Sequence, residues 1–215
     1  RPEIRAPNRQ LLFTSAVTAS DYRDRGRPSS WSSTVDRLAA DYDGAGAFPR
    51  LFVLSAGNSD GPVAWSAYHA SLSTNLIHDP GQAWNALTVG ASTEKVVITE
   101  ADAQHYQPIA KSGGLSPHTT TSATWDRSWP LKPDVVLEGG NIGKNALGPS
   151  GISSLDLLTT HHRPLERLFW TTNATSAASA LCARMAAQLM ATYPALRPET
   201  IRALIVHSAE WTQAM

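Results

Sequence analysis

Apolar positions in this chain fall into short continuous blocks separated by polar, Gly- and Pro-punctuated stretches, with helical spacing appearing in only three places. Residues 9–17 form one such block ending in small side chains, which reads as a buried strand that delivers its tip to a loop. The charged residues 21–28, broken by Gly26 and Pro28, read as exposed. Ser29 or Ser30 then caps a helix over residues 31–40, where Trp31, Val35, Leu38 and Ala39 share one face, and residues 43–46 end it. Residues 50–54 are continuously apolar and lead into Ser55-Ala56-Gly57-Asn58. Strand, helix, strand in that order predicts a parallel pair joined by a right-handed crossover. Residues 59–82 read as an irregular connection, residues 86–92 as a third strand and residues 95–99 as a fourth. Turn chemistry at 111–117 and a Thr-rich loop precede a strand over 131–140 with a Gly-rich exit, and another loop follows it. A helix opens near Asn173 and stops at Tyr193-Pro194, and a last helix runs over 198–209 with Pro198 in its first turn. The pattern is that of an α/β fold, in which ligands bind at the carboxyl ends of the strands.

The helix opening at Asn173 organises the rest. Ala recurs through residues 174–190, and the only charge is Arg184, so this helix is expected to be buried nearly all round. Ser176 then stands in the first turn of a buried helix, where unpaired N–H groups and the positive end of the dipole favour negative charge. Two readings stay open for it: a capping residue, or a serine nucleophile beside a forming oxyanion.

Composition narrows the classes without choosing among them. With 18 Lys+Arg against 18 Asp+Glu, no net charge points to nucleic acid or an anionic membrane. A single cysteine, Cys182, excludes a disulfide within the chain and reads as a small packing residue. Neither a zinc spacing nor a carboxylate cluster of calcium-binding spacing is present, no phosphate-binding Gly loop occurs, and no apolar run nears the ~20 residues that span a bilayer. No cofactor and no metal is therefore expected. The sequence opens on Arg1-Pro2-Glu3 and ends on Trp211-Thr212-Gln213-Ala214-Met215, which reads as a piece of a longer chain, without a linker that would divide it.

Several short motifs stand in one order: Ser55-Ala56-Gly57-Asn58, Val89-Gly90-Ala91, Ser112-Gly113-Gly114, Lys132-Pro133-Asp134-Val135-Val136, and Thr175-Ser176-Ala177 opening a small-residue helix. This order resembles the carboxyl-terminal half of the subtilisin-like serine peptidases, the subtilases. The resemblance implies a mostly parallel subtilisin-like sheet with helices on both faces, incomplete in this chain, with residues 1–215 as the carboxyl-terminal portion of a single peptidase domain. It places Ser176 as nucleophile and Asn58 as the oxyanion-hole amide. It places Ser55, Ala56 and Gly57 along one wall of the primary specificity pocket and Ser15, Ala16 and Val17 along the opposite wall. The loop His78-Asp79-Pro80-Gly81 resembles the segment flooring that pocket, with polar side chains where small ones are usual, so a shallower or more polar pocket is expected.

The departures from the family pattern matter as much. Ala174 stands where Gly is usual and Ser179 where Pro is usual. The Asp-Ser/Thr-Gly and His-Gly-Thr-His motifs that carry the other two triad members are absent, and no His precedes His69. Asp21, Asp24, Asp36, Asp41 and Asp43 read as solvated, and His161-His162 as a solvated loop pair. The expected activity is that of a serine endopeptidase acting on polypeptides through an acyl-enzyme, its Asp and His supplied by an upstream segment of the same protein. A non-catalytic relative that binds extended peptides is the alternative. The 215 residues alone are expected to be inert and, with an unpaired strand edge, to self-associate.

Overall fold

A computed structural model describes residues 11–19, 21 and 26–215; residues 9–10 of the first expected strand, and Asp24 with residues 22–25 of the charged loop, lie outside the described residues. In chain order the elements are β1 (Leu12–Ser15), α1 (Ser30–Ala39), β2 (Leu51–Ser55), α2 (Pro62–Ser66), β3 (Leu87–Thr93), β4 (Gln107–Pro108), β5 (Gly114–Leu115), β6 (Val135–Glu138), β7 (Gly143–Asn145), β8 (Gly148–Ser150), β9 (Leu157–Thr160), β10 (Phe169–Thr172), α3 (Ala174–Thr192) and α4 (Pro198–His207).

Strands β1, β2, β3 and β6 lie parallel in one sheet, with β1 on β2, β2 on β3 and β3 on β6. Alternation along β2 explains why its apolar run is continuous. Leu51 and Val53 face α3 and α4, in a core with Leu87, Val89, Ala91, Val135, Ala178, Cys182, Ala186, Ile201 and Ile205. Phe52 and Leu54 face the other way, toward Val35 of α1 and Ala83 and Ala86. Helices thus cover both faces, as expected for a sheet whose strands are buried on two sides. The start of α1 is fixed by a reciprocal pair: Ser32 N–H donates to Ser29 Oγ and Ser29 N–H donates to Ser32 Oγ, each at 2.9 Å, an arrangement that stabilises a helix end by about 1 kcal/mol.

Five expectations change. Residues 95–99 join no ladder, and side chains take backbone donors at both ends: Lys95 N–H donates to Thr93 Oγ1 and Thr99 N–H to Ser154 Oγ. Strand β6 begins after Pro133, which has no N–H to give a ladder. Helix α3 is buried along Ala174, Ala178, Cys182 and Ala186, while Ala180, Arg184, Ala187 and Gln188 are exposed. Alanine favours helix on either side, so its abundance did not report burial. The stretches read as connections hold order too: α2 lies within 59–82, the antiparallel set β4–β7–β8 surrounds the Gly-rich exit, and β9 pairs antiparallel with β10 just before α3. Helix α4 ends at His207 rather than Ala209. Among the described residues no helix is long and apolar enough to cross a membrane.

Candidate active site

The site is built where β2 leaves the sheet. Strand β2 pairs with β3 up to Ser55↔Val89, and Ala56 N–H still donates to Val89 O at 2.9 Å. Beyond that point β5 pairs with β3 instead, at Ser92↔Leu115, so the chain must turn away. Gly57 makes the turn with φ of +92°, a region that L side chains rarely adopt. The hydroxyl of Thr120 shares its proton between Ala56 O (2.9 Å) and Gly57 O (3.1 Å), which holds both carbonyls on one side. Asn58 is left exposed at the carboxyl edge of the sheet.

Helix α3 begins against this turn, and its first donors are capped by distant groups. Ala174 N–H donates to Gly139 O at 2.6 Å, and Thr175 N–H donates to Asn58 Oδ1 at 3.2 Å. The Thr175 hydroxyl also donates to Asn58 Oδ1, at 2.8 Å, and lies 3.1 Å from Gly57 O. An N–H can only donate, so the oxygen of the Asn58 amide must face Thr175 and its NH2 must face away. The helix end approaches the sheet so closely that a Cβ on Gly139 would fall 2.4 Å from Ala91 Cβ and 3.0 Å from Ala174 O. Ala174 itself has φ of +68°, where Gly is favoured.

Ser176 follows Thr175, half-buried, in the same first turn. Its hydroxyl caps nothing: the caps come from Gly139 and Asn58, and the side chain of the N-cap residue Asn173 donates instead to Asp156 Oδ1 at 3.0 Å. Neither the Ser176 hydroxyl, its N–H, nor Asn58 Nδ2 has a hydrogen-bond partner among the described residues. Burial raises the Asp156 carboxyl above its ordinary range, against the hydrogen bonds from Asn173 and Thr171. The structure therefore brings Asn58 to the turn that carries Ser176 and leaves two donors and one hydroxyl unengaged there. An arrangement of that kind can receive a carbonyl oxygen and the carbon it belongs to.

No imidazole joins it among the described residues. His161 and His162 sit on the exposed turn between β9 and β10, where Arg163 N–H donates to His161 Nδ1 at 3.1 Å and the ring meets Trp170 edge-on. Of the carboxylates read as solvated, one is buried and a second is half-buried and engaged. Asp41 is 3% exposed and pairs with the buried Arg50 at 3.3 Å, and Asp36 accepts from the N–H groups of Trp84 (3.2 Å) and Asn85 (2.7 Å). Both serve to fasten α1 to the sheet, a role with no local signature because the partners are 9 and 48 or 49 residues away.

Beside Asn58, Ser55, Ala56 and Gly57 are buried in the β2 exit. Ser15 pairs with Leu54 at the end of β1, while Ala16 and Val17 are exposed; the contact with the loop opposite is made one step later, by Thr18 and Ala19. That loop is His78–Gly81. His78 N–H donates to Ala56 O (2.9 Å), Ala19 N–H donates to Asp79 O (2.8 Å), and Thr18 Oγ1 lies 3.5 Å from His78 Nδ1. On the far side of Asn58, Ser59 N–H donates to His118 O (3.0 Å) and Ser59 Oγ to Pro117 O (2.7 Å). The His118 ring stands edge-on to Trp65 at 5.4 Å, its Nε2 buried without a hydrogen bond, and burial pushes its pKa down to about 4.

Thr175, Thr120 and Gly139 were not singled out by sequence. Thr175 was within reach, since a hydroxyl and an N–H next to the candidate serine are natural partners for an amide. Thr120 acts 63 and 64 residues away from the carbonyls it holds and leaves no pattern.

Comparison with known proteins bears on the fold and the family. A sequence model of the Subtilase family matches residues 7–214. A protein of Sinorhizobium fredii, y4bN, is 27% identical over 206 residues, covering 88% of this chain and 46% of its own length. Among solved structures, a psychrophilic protease superposes with a TM-score of 0.53 at 18% identity, covering 100% of this chain and 53% of its own. Proteases from Pseudoalteromonas arctica give 0.54 at 14% identity, covering 93% and 44%. The chain thus spans about half the length of the relatives it matches. With the family match running almost end to end and the mostly parallel sheet shared with those structures, this chain belongs to the subtilase family.

Proposed function

We propose that this chain is the nucleophile-bearing part of a serine endopeptidase. Ser176 Oγ attacks a peptide carbonyl while a histidine, held by an aspartate, takes its proton and passes it to the leaving amine; water then hydrolyses the acyl-enzyme by the same route. The oxyanion is met by the Ser176 N–H and by Asn58 Nδ2. The observation that supports this reading is the lock of Asn58 Oδ1 onto both donors of Thr175, which fastens Asn58 to the residue before Ser176 and leaves its amide NH2 unengaged. The reaction needs no cofactor.

The histidine and aspartate come from a segment upstream of residue 1. Strand β1 pairs with β2 on one side and, among the described residues, has no strand on the other, and that edge is where the upstream segment adds to the sheet. Left bare it favours self-association. A second reading, a cleft that holds extended peptides without cutting them, draws on Ala174 at φ of +68° and on Ser179, whose hydroxyl donates to Ser176 O at 2.9 Å.

A fluorophosphonate probe on the full-length protein tests the first reading. Labelling is expected at Ser176, lost in Ser176→Ala and slowed in Asn58→Ala, while the isolated 215 residues stay unlabelled. A correctly folded full-length protein that does not label, yet binds extended peptides, overturns the hydrolytic reading in favour of the second.

A further inference from the structure

On the peptidase reading, and by the resemblance of residues 55–57 to a wall of the primary specificity pocket, the side chain of the residue that contributes the reacting carbonyl lies against the chain just before Asn58. That chain is Ala56–Gly57, and the open face of Gly57 is already occupied. A Cβ placed on Gly57 would fall 2.3 Å from His78 Cγ and 2.6 Å from both His78 Cβ and Cδ2. The same ring reaches the opposite segment, with Nδ1 3.5 Å from Thr18 Oγ1. One imidazole therefore fills the gap between the two segments that flank the acyl side of the site.

The ring is also held where it is. His78 N–H is bonded to Ala56 O, and Gly81 N–H returns to His78 O at 2.7 Å. Asp79 points away into the start of α1, its Oδ1 accepting from Ser29 Oγ (2.6 Å) and Gln82 Nε2 (2.9 Å). Thr88 Oγ1 donates to Gly81 O at 2.6 Å, tying the end of the loop to β3. Swinging the imidazole aside would break into a loop fastened to β2, β3 and α1 together.

We propose, resting on the peptidase reading above, that His78 is the specificity-determining residue of this site. Its ring restricts the residue on the acyl side of the cleaved bond to small side chains such as Gly, Ala or Ser and excludes Phe and Leu. A single excess methylene in a fitted pocket is worth about 10- to 200-fold in discrimination, so an aromatic ring should be rejected by at least ~100-fold relative to Ala.

The test is binding of two product peptides, identical but for a carboxyl-terminal Ala or Phe, to the full-length protein by calorimetry, with hydrolysis of the matching longer peptides measured in parallel. The wild type should bind the Ala-ended peptide at least ~100-fold more tightly, and His78→Gly should move the ratio toward Phe by at least ~10-fold. Equal or tighter binding of the Phe-ended peptide by the wild type, or binding of neither, overturns the proposal, and this arm needs no variant to fold. A folded His78→Gly protein with an unchanged ratio overturns it as well. Size-selective binding without hydrolysis upholds His78 as the filter while overturning the peptidase reading, so the two fail separately.

Discussion

Acid should weaken this protein through one buried imidazole. His118 is 5% exposed, packs edge-on against Trp65 and leaves Nε2 without a hydrogen bond, so the fold accommodates its neutral form and burial holds its pKa near 4. An unfolded chain takes up that proton near the ordinary value of about 6.5. Because the folded pKa is depressed, the unfolded state binds more protons throughout the interval from about 6.5 down to about 4. Stability is therefore whole above pH 6.5 and declines as the pH falls, the loss reaching about 3 kcal/mol at pH 4 and about 2 kcal/mol at pH 5. The assay is urea unfolding of the full-length protein at pH 7.5 and pH 5, wild type beside His118→Phe, which keeps a ring against Trp65 and cannot titrate. Carboxylates common to both proteins cancel in the comparison. The wild type should lose about 2 kcal/mol more than the variant. An equal loss in the two would refute the argument. Ser59, next to Asn58, is bonded to His118 O and Pro117 O, so activity should fall over the same interval.

Thr175→Val removes the hydroxyl that fixes the Asn58 amide and should lower kcat with little change in KM, by less than the ~100- to 1,000-fold cost of deleting an oxyanion donor outright; steady-state kinetics beside Asn58→Ala separates positioning from loss. Ala174→Gly relieves a left-handed alanine and should stabilise by up to about 1 kcal/mol in the same unfolding assay, and a loss of stability would count against strain at that residue. Lys132→Met strips the amine of the 3%-exposed Lys132 from Asp134 (2.7 Å) and Ala86 O (3.0 Å), leaving the carboxylate with Arg202 and the Thr88 N–H; because the carboxylate keeps those partners, a loss of about 1.5–3 kcal/mol is expected, and a change under about 1 would show that the pair is dispensable.

The parallel sheet was legible because its strands are buried on both faces and so write themselves as unbroken apolar runs, as in Leu51–Ser55. The small antiparallel pieces were not: β9 is Leu-Leu-Thr-Thr and β10 Phe-Trp-Thr-Thr, and their exposed apolar residues carry no alternation to mark a buried face. Among the candidate site residues, Ser176 and Asn58 could be named from short motifs in order. What holds them could not, because Thr120 and Gly139 act across tens of residues through backbone carbonyls and close contact, neither of which constrains a neighbour in sequence. The buried Asp41 shows the same limit: next to Tyr42 and Asp43 it looks solvated, and only its meeting with Arg50 hides it.

The capping of α3 ties the completion of the candidate site to the completion of folding. The bonds between Asn58 and Thr175 close a span of 117 residues, the entropic cost of which must be met before the contact can stabilise anything. Until that closure the amide is unoriented and the first donors of the helix are unspent on Gly139 and Asn58. A nascent or misassembled chain thus presents Ser176 without the amide fastened to its turn, so that, on the proposed peptidase reading, no copy can cut before its own sheet and helix have met.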